Sequence, residues 1–534
     1  MSGGTAPKKQ SFLQGVAVLT AATIIVKLLG FIYKVPLQNI LQERGYGYFN
    51  TAYDVYNVLL MISTTGLPVA VSRMISQAQA LENYAQIRKI YSVSMKVFLT
   101  IGVVGTLVML VFCKPLSVMV TTNENSWAAI AALSPCVLLI CIVSAHRGFF
   151  QGQSNMIPTS ISQVIEAVVK LIVGMIAALF LLKTTGSVPL AAGGAILGVT
   201  ASCLVSSIYL GLCFRKSYVL LPVTTEEPRS YWDTAKGLMM IAVPITVGSA
   251  ILQFFTMMET KIYMGQLLNL GYTQGAADTM RGIYGMCLTI FNMPCAFITP
   301  ITISIIPAIT AQLTLCNDVE ARNTEDSAVR ITGLISMPCA FGLALLARPV
   351  TALLGRYSGA NLDLATRLMF VLAVAIAFNA VVMVTTAIMQ AHGHAGRPVT
   401  NMLIGGVLNL IAVYILTGNP HINILGTPIG ILVCYVSIGI LNLYSLHALL
   451  DNPPAVLKNL LRPFLAAAIM GVAVYGVYRG LTLLGLGSRL MLCALPVIVG
   501  VCVYAFAAVK LKAITRSDCL LLPKGAKIAK FLKL

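Results

Sequence analysis

At 534 residues, with 58% hydrophobic and only 10% charged side chains, the chain cannot fold as a water-soluble globule, because soluble domains carry about 25% charged residues. A net charge of +19 would suit nucleic acid, but the basic residues are scattered between apolar runs and form no patch interleaved with aromatics, which argues against that partner. Thirteen cysteines, an odd number without a CxxC pair or a Cys/His cluster, predict neither a disulfide framework nor a metal site.

Apolar windows of about 20 residues, enough to cross roughly 30 Å of hydrocarbon, recur along the chain. They run approximately 13–37, 46–72, 88–112, 127–149, 156–182, 187–213, 238–264, 276–306, 328–347, 364–390, 398–417, 424–449, 463–485 and 488–510. The first follows Lys8 and Lys9 and is too long and too charged for a cleaved leader, so it reads as a spanning helix. The runs are continuous rather than alternating, which predicts helices and not a barrel. With both termini in the cytoplasm, Arg88, Lys89, Arg147, Arg215, Lys216, Lys458, Arg462 and the lysines of the tail fall on the cytoplasmic side. That orientation satisfies the positive-inside rule.

A weak internal repeat organises these spans. Phe150-Gln151-Gly152 with Pro158, before the fifth window's apolar stretch, parallels Met389-Gln390-Ala391 with Pro398 before the eleventh. Six spans separate the two, so the halves share an orientation and are related by an axis along the membrane normal. The predicted fold is an all-α polytopic membrane protein of about fourteen transmembrane helices, two parallel-related six-helix lobes plus two C-terminal helices. Its expected parts are an N-lobe over 1–214, a cytoplasmic linker over 215–237, a C-lobe over 238–450, helices 13 and 14 over 451–511, and a basic cytoplasmic tail over 512–534. That tail suits anionic membrane lipid.

Seven charged residues lie within spans: Lys27, Lys34, Asp54, Glu259, Lys261, Asp278 and Arg281. A charge at the bilayer centre costs roughly 2.5–3.5 kcal/mol, so it rarely faces lipid. The cations are in the majority, which suits a polar cavity that accepts an anion. Lys27 and Lys34 are two helical turns apart on one face, with Gly30 between them and Tyr33 beside the second. Asp278 and Arg281 are spaced to pair with each other, as are Glu166 and Lys170. Arg73, Arg147 and Arg397 stand at the cytoplasmic ends of spans, where they could meet an incoming headgroup. His392 and His394, only two apart in a Gly-containing turn, read as loop histidines. No GxxxxGK[ST] loop or helical metal-spaced His pair occurs, and the outer loops are too short for a catalytic domain, so no enzyme activity and no cofactor are expected. An ion, the substrate gradient or the membrane potential is left as the driving force.

Taken together, Lys27-Leu28-Leu29-Gly30-Phe31-Ile32-Tyr33-Lys34, the stretch Gly66 to Arg73, and Phe149-Phe150-Gln151-Gly152 followed by Pro158 carry a resemblance across essentially the whole chain. The chain resembles the MurJ-type lipid II flippases and, more closely, the stage V sporulation protein B branch of the same multidrug/oligosaccharidyl-lipid/polysaccharide exporter superfamily. The resemblance implies outward flipping of an undecaprenyl-diphosphate-linked sugar by alternating access, for peptidoglycan or polysaccharide assembly. It implies a central cavity lined by helices 1, 2, 7 and 8, a lipid-tail groove on helices 13 and 14, and a monomer in a bacterial plasma membrane near envelope-synthesis enzymes. Cavity contacts to the diphosphate would come from Lys27, Tyr33, Lys34, Lys261 and Arg281, with Asp54, Glu259 and Asp278 as counter-charges. The flippase pattern on helix 1 is Arg, two residues, Gly, two residues, Arg, then an acid; here Lys27, Tyr33 and Lys34 occupy those three positions, the last with its charge reversed. The rival readings are a Na⁺- or H⁺-coupled drug or metabolite exporter of the same superfamily, a membrane glycosyltransferase, and a non-transporting envelope assembly factor.

Overall fold

A computed structural model of the chain describes residues 12–61, 66–121, 124–153, 155–219, 221–222, 227–485 and 488–514. Lys8, Lys9 and most of the basic tail lie outside the described residues. The helices in chain order are α1 (Phe12–Met61), α2 (Leu67–Ala80), α3 (Tyr84–Val111), α4 (Cys113–Thr121), α5 (Trp127–Gly152), α6 (Ile157–Thr185), α7 (Val188–Val219), α8 (Tyr231–Asn269), α9 (Gln274–Thr314), α10 (Asp318–Leu345), α11 (Ala347–Leu354), α12 (Gly359–Ala391), α13 (Gly396–Thr417), α14 (Gly426–Leu449), α15 (Val456–Leu483) and α16 (Arg489–Lys510). Among the described residues, twelve helices are long and apolar enough to cross a membrane.

Two of the expected windows account for the difference from fourteen. Windows 13–37 and 46–72 fall largely within α1, whose run is interrupted at Gln42 by a left-handed φ of 57° with ψ −177°. Along a straight helix, sixteen residues would separate Tyr33 from Phe49 by about 24 Å. Their ring centroids are 6.3 Å apart, so α1 folds back on itself at Gln42. Window 238–264 lies in α8, which is 39 residues long and is not among the twelve.

The chain divides into two compact units, one of residues 1–268 with 272–282, the other of 269–271 with 283–534. In the first, α5, α6 and α7 pack against one another and against α1, while α2 and α3 close on α5. Lipid-like surroundings supply no hydrophobic drive between helices, so close backbone approach through small residues has to hold them together. The α6–α7 seam is built that way: a Cβ on Gly198 would strike the Gly174 backbone, and one on Gly194 would come within 2.7 Å of the Ala177 carbonyl. The segment after α7 is held to α3, since Arg88 Nη2 donates to the Leu221 carbonyl at 2.7 Å and the Arg229 amide donates to Gln86 Oε1 at 2.7 Å.

Residues 274–282, the start of α9, join the first unit through a second glycine seam. A Cβ on Gly47 would lie 2.7 Å from the Asp278 carbonyl, and a Cβ on Gly282 would overlap the Glu43 carbonyl. In the second unit α10 packs on α12 and α15, α14 packs on α12 and α13, and α16 lies on α15. The Asp326 carboxylate of α10 accepts the Ala455 amide at 3.1 Å and Asn459 Nδ2 at 2.6 Å, which caps the start of α15.

Because the atom that Gly282 would strike is backbone, Gly282→Ala should cost about 1–3 kcal/mol and lower the midpoint of thermal unfolding in detergent. Gly30→Ala, where a Cβ meets nothing within 4 Å, is the control and should leave that midpoint unchanged. Equal midpoints for the two variants would contradict the seam.

Candidate functional site

One group of embedded charges in the first unit centres on Arg281. Gln274, Asp278 and Arg281 stand at i, i+4 and i+7 on α9 and so share one face. Glu259, Thr260 and Tyr263 present a face of α8 to the same place. Arg281 is 3% exposed and every part of its guanidinium is used. Its Nη2 donates to Asp54 Oδ2 at 2.6 Å, its Nη1 to the Tyr263 hydroxyl at 2.5 Å and its Nε to the Gly47 carbonyl at 3.3 Å. Thr260 Oγ1 adds a second donor to Asp54 Oδ2 at 3.0 Å.

The expected pairing of Asp278 with Arg281 is therefore replaced by one that joins α9 to α1. Asp278, itself buried, accepts from Gln274 Nε2 at 3.2 Å and from the Tyr48 hydroxyl instead. Gln274 Nε2 also donates to the Thr121 carbonyl at 3.0 Å. A guanidinium forks toward acceptors lying ahead of it, and the Gly47–Asp278 approach brings α1 within that reach. Glu259 is buried, whereas Lys261, two residues on, is exposed.

On the first arm of α1, Lys27 is exposed and Lys34 half-buried. Tyr33, expected on a cavity wall, is turned into the packed interior and donates to the Ala195 carbonyl of α7 at 3.0 Å. Of the three arginines expected at the cytoplasmic ends, Arg73 and Arg397 are exposed. Arg147 is not presented there: it turns in to α6, with Nη2 2.8 Å from Glu166 Oε1 and with Nε and Nη2 3.0 and 2.9 Å from Ser162 Oγ. That pairing corrects the expected Glu166–Lys170 bridge. The Arg147 fork offers the carboxylate a fixed hydrogen-bonding geometry, which an ammonium one turn along the same helix does not.

Three features escaped the sequence reading. His392, expected in a free turn, caps α12 and lies 2.6 Å from the buried Glu325 carboxylate of α10. In the second unit, Asn401 Nδ2 donates to Asn442 Oδ1 at 2.9 Å, and Asn442 Nδ2 donates to Thr385 and Thr386 at 3.0 and 3.2 Å. Counted from the repeated glutamines, Arg147 and Thr386 each stand four residues before, and Ser162 and Asn401 eleven after. The repeat thus carries a polar node at one sequence position in both units, charged in the first and neutral in the second. The third is an apolar groove of about 570 Å³ lined by Phe341, Phe370, Phe378, Leu461 and Phe464, on α10, α12 and α15 rather than on helices 13 and 14 together. Among the described residues, no three His, Cys, Asp or Glu side chains are grouped to hold a metal ion.

Long apolar helices, glycine seams and ion pairs buried within spans define a multi-pass integral membrane protein. The profile of the family described as "Polysaccharide biosynthesis protein" matches residues 12–312, more than half of the chain, and the chain belongs to that family. It is similar to stage V sporulation protein B of Bacillus subtilis (strain 168), with 25% identity over 438 residues that cover 81% of this chain and 83% of that protein. It is likewise similar to the lipid II flippase MurJ of the same organism, with 26% identity over 422 residues, 75% of this chain and 76% of that protein. Among solved structures, the fold matches "Lipid II flippase MurJ, inward closed conformation" with a TM-score of 0.64 at 14% identity, over 92% of this chain and 98% of that one.

Removing either partner of the Asp54–Arg281 pair leaves a charge stranded among apolar helices, so Asp54→Leu and Arg281→Met should each cost about 3–5 kcal/mol. The double variant should cost less than the sum of the two singles. Denaturant unfolding in detergent measures the cycle, and strict additivity would show that the pair is not coupled.

Proposed function

We propose that this protein is a flippase that carries an undecaprenyl-diphosphate-linked glycan precursor from the cytoplasmic to the outer leaflet of a bacterial plasma membrane. The observation that carries the reading is the charge on α1. Lys27 is exposed on an apolar spanning arm, and Lys34, two turns on, forms no ion pair among the described residues. Ammonium groups held in a low-dielectric setting suit a diphosphate, because charge-assisted hydrogen bonds offset the cost of stripping its water. Family membership and the likeness to proteins named as a lipid II flippase and a sporulation protein support the same reading.

In this scheme Lys27 and Lys34 hold the diphosphate. Arg281 contributes when its bond to Asp54 opens, and Lys261 lies on the same helix as Tyr263, the other partner of that guanidinium. An inside-negative potential favours outward movement of negative charge by about 2.3 kcal/mol per charge per 100 mV. The termini face the cytoplasm, the protein acts as a monomer and no cofactor takes part.

Proteoliposomes loaded with a fluorescent undecaprenyl-diphosphate sugar provide the test, with leaflet exposure read by a membrane-impermeant quencher. Lys27→Ala should slow appearance in the second leaflet by about tenfold, the equivalent of one lost charge-assisted hydrogen bond, and a potassium diffusion potential should change the rate in wild type. An unchanged rate in Lys27→Ala would sink the mechanism.

A further inference from the structure

The end of the second unit at which α10 and α15 finish carries an unbalanced set of charges. Asp326 of α10 caps the start of α15, so these two packed helices begin together and run side by side. α11 follows α10 there, α12 starts there, and α16 starts where α15 stops. Residues 346–368 and 476–492 hold Arg348, Arg356, Arg367, Arg479 and Arg489, no lysine, and one acid, Asp363, a net charge of five less one. On the orientation proposed above this is the outer face, where the positive-inside rule leaves few cations.

The packing turns these arginines outward. α11 buries Ala347, Pro349, Val350 and Thr351 and leaves Arg348 exposed. In the turn to α12, Tyr357 is buried against Gly355, while Arg356 is exposed with a left-handed φ of 52°. That backbone is strained for a side chain, and the buried ring beside it holds it in place. Arg348 Nη1 lies 2.6 Å from Asp363 Oδ1, and Arg367 stands one turn beyond Asp363 on α12. Arg489 Nη1 reaches the Ala352 carbonyl at 3.5 Å, which ties the start of α16 to α11. Both side chains of the Arg348–Asp363 pair are 54% exposed, so the pair is weak and free to exchange partners.

Apolar side chains frame the guanidinium groups. Leu483, Leu484 and Leu490, around the passage from α15 to α16, are 82%, 71% and 62% exposed. Leucines that enter the acyl region beside arginines that reach the phosphates are the pattern of a membrane boundary. We propose that this arginine face docks the phosphate headgroups of anionic phospholipids in the outer leaflet, with phosphatidylglycerol as the probe. Each guanidinium offers a phosphodiester two parallel donors, a geometry that lysine lacks. Asp363 holds Arg348 when no headgroup is bound. The inference goes beyond the flippase reading and uses its orientation, not its cargo.

Full-length protein carrying Trp127→Phe, Trp232→Phe and Leu484→Trp places one fluorophore on this face. It is reconstituted with brominated phosphatidylglycerol or brominated phosphatidylcholine, each diluted into unbrominated phosphatidylcholine. Phosphatidylglycerol should quench at about a fivefold lower mole fraction, the equivalent of one arginine near the headgroup plane. Adding Arg356→Gln and Arg489→Gln should remove that preference with an unchanged unfolding midpoint. Lys458→Gln with Arg462→Gln, at the opposite end of α15, should leave it intact. Equal quenching by the two lipids before any arginine is removed overturns the proposal, as does a preference that survives the double variant. Soluble polyphosphate that binds through these arginines without any lipid preference assigns the face to a soluble polyanion and also overturns it. None of these outcomes alters the result expected of Lys27→Ala in the flipping assay, so the two readings fail separately.

Discussion

The cost of charge inside hydrocarbon governs this structure, and the Asp54–Arg281 bond is where it is met most completely. An isolated guanidinium at that depth would be among the most expensive groups the chain could hold. Here it is answered by a carboxylate and a backbone carbonyl on the second arm of α1 and a phenol on α8. The bond can form because Gly47 and Gly282 let α9 lie against α1 at backbone distance. Glycine seam and ion pair are thus one device: the small residues bring the helices together, and the charges make the approach specific.

The same logic recurs, in different chemistry, at the repeated position of the two units. Arg147, Ser162 and Glu166 tie α5 to α6 by charge. Thr386, Asn442 and Asn401 tie α12, α14 and α13 by neutral amides and hydroxyls. Buried polar networks of either kind are tolerated when every member is satisfied. The node is thus charged in the first unit and neutral in the second.

Much of this was readable from the chain, and the failures share one cause. Continuous apolar runs located nearly all the helices, and counting embedded charges picked out the residues that became the Arg281 cluster. Partners were another matter. Helical spacing can propose only neighbours on the same helix, so Asp278 was paired with Arg281 and Glu166 with Lys170. The actual partners lie on other helices, at separations of 227 and 19 residues. His392 was read as a turn residue because its carboxylate, Glu325, is 67 residues away. The amide network was invisible to a search for charge, and Tyr33 was assigned to a cavity because proximity in sequence to Lys34 does not reveal which way a side chain points.

The reversal of α1 at Gln42 bears on how the protein is made. With no long loop between its two arms, the hairpin suits delivery to the bilayer as a single block, whereas a lone arm carrying Lys27 and Lys34 would face a penalty of roughly 2.5–3.5 kcal/mol for each centrally placed lysine. Folded back, the arms bring the aromatic rings of Tyr33, Tyr46, Phe49 and Tyr53 into one cluster. A single residue with a left-handed backbone in the middle of an apolar run therefore turns one continuous stretch into two arms that can enter the bilayer together.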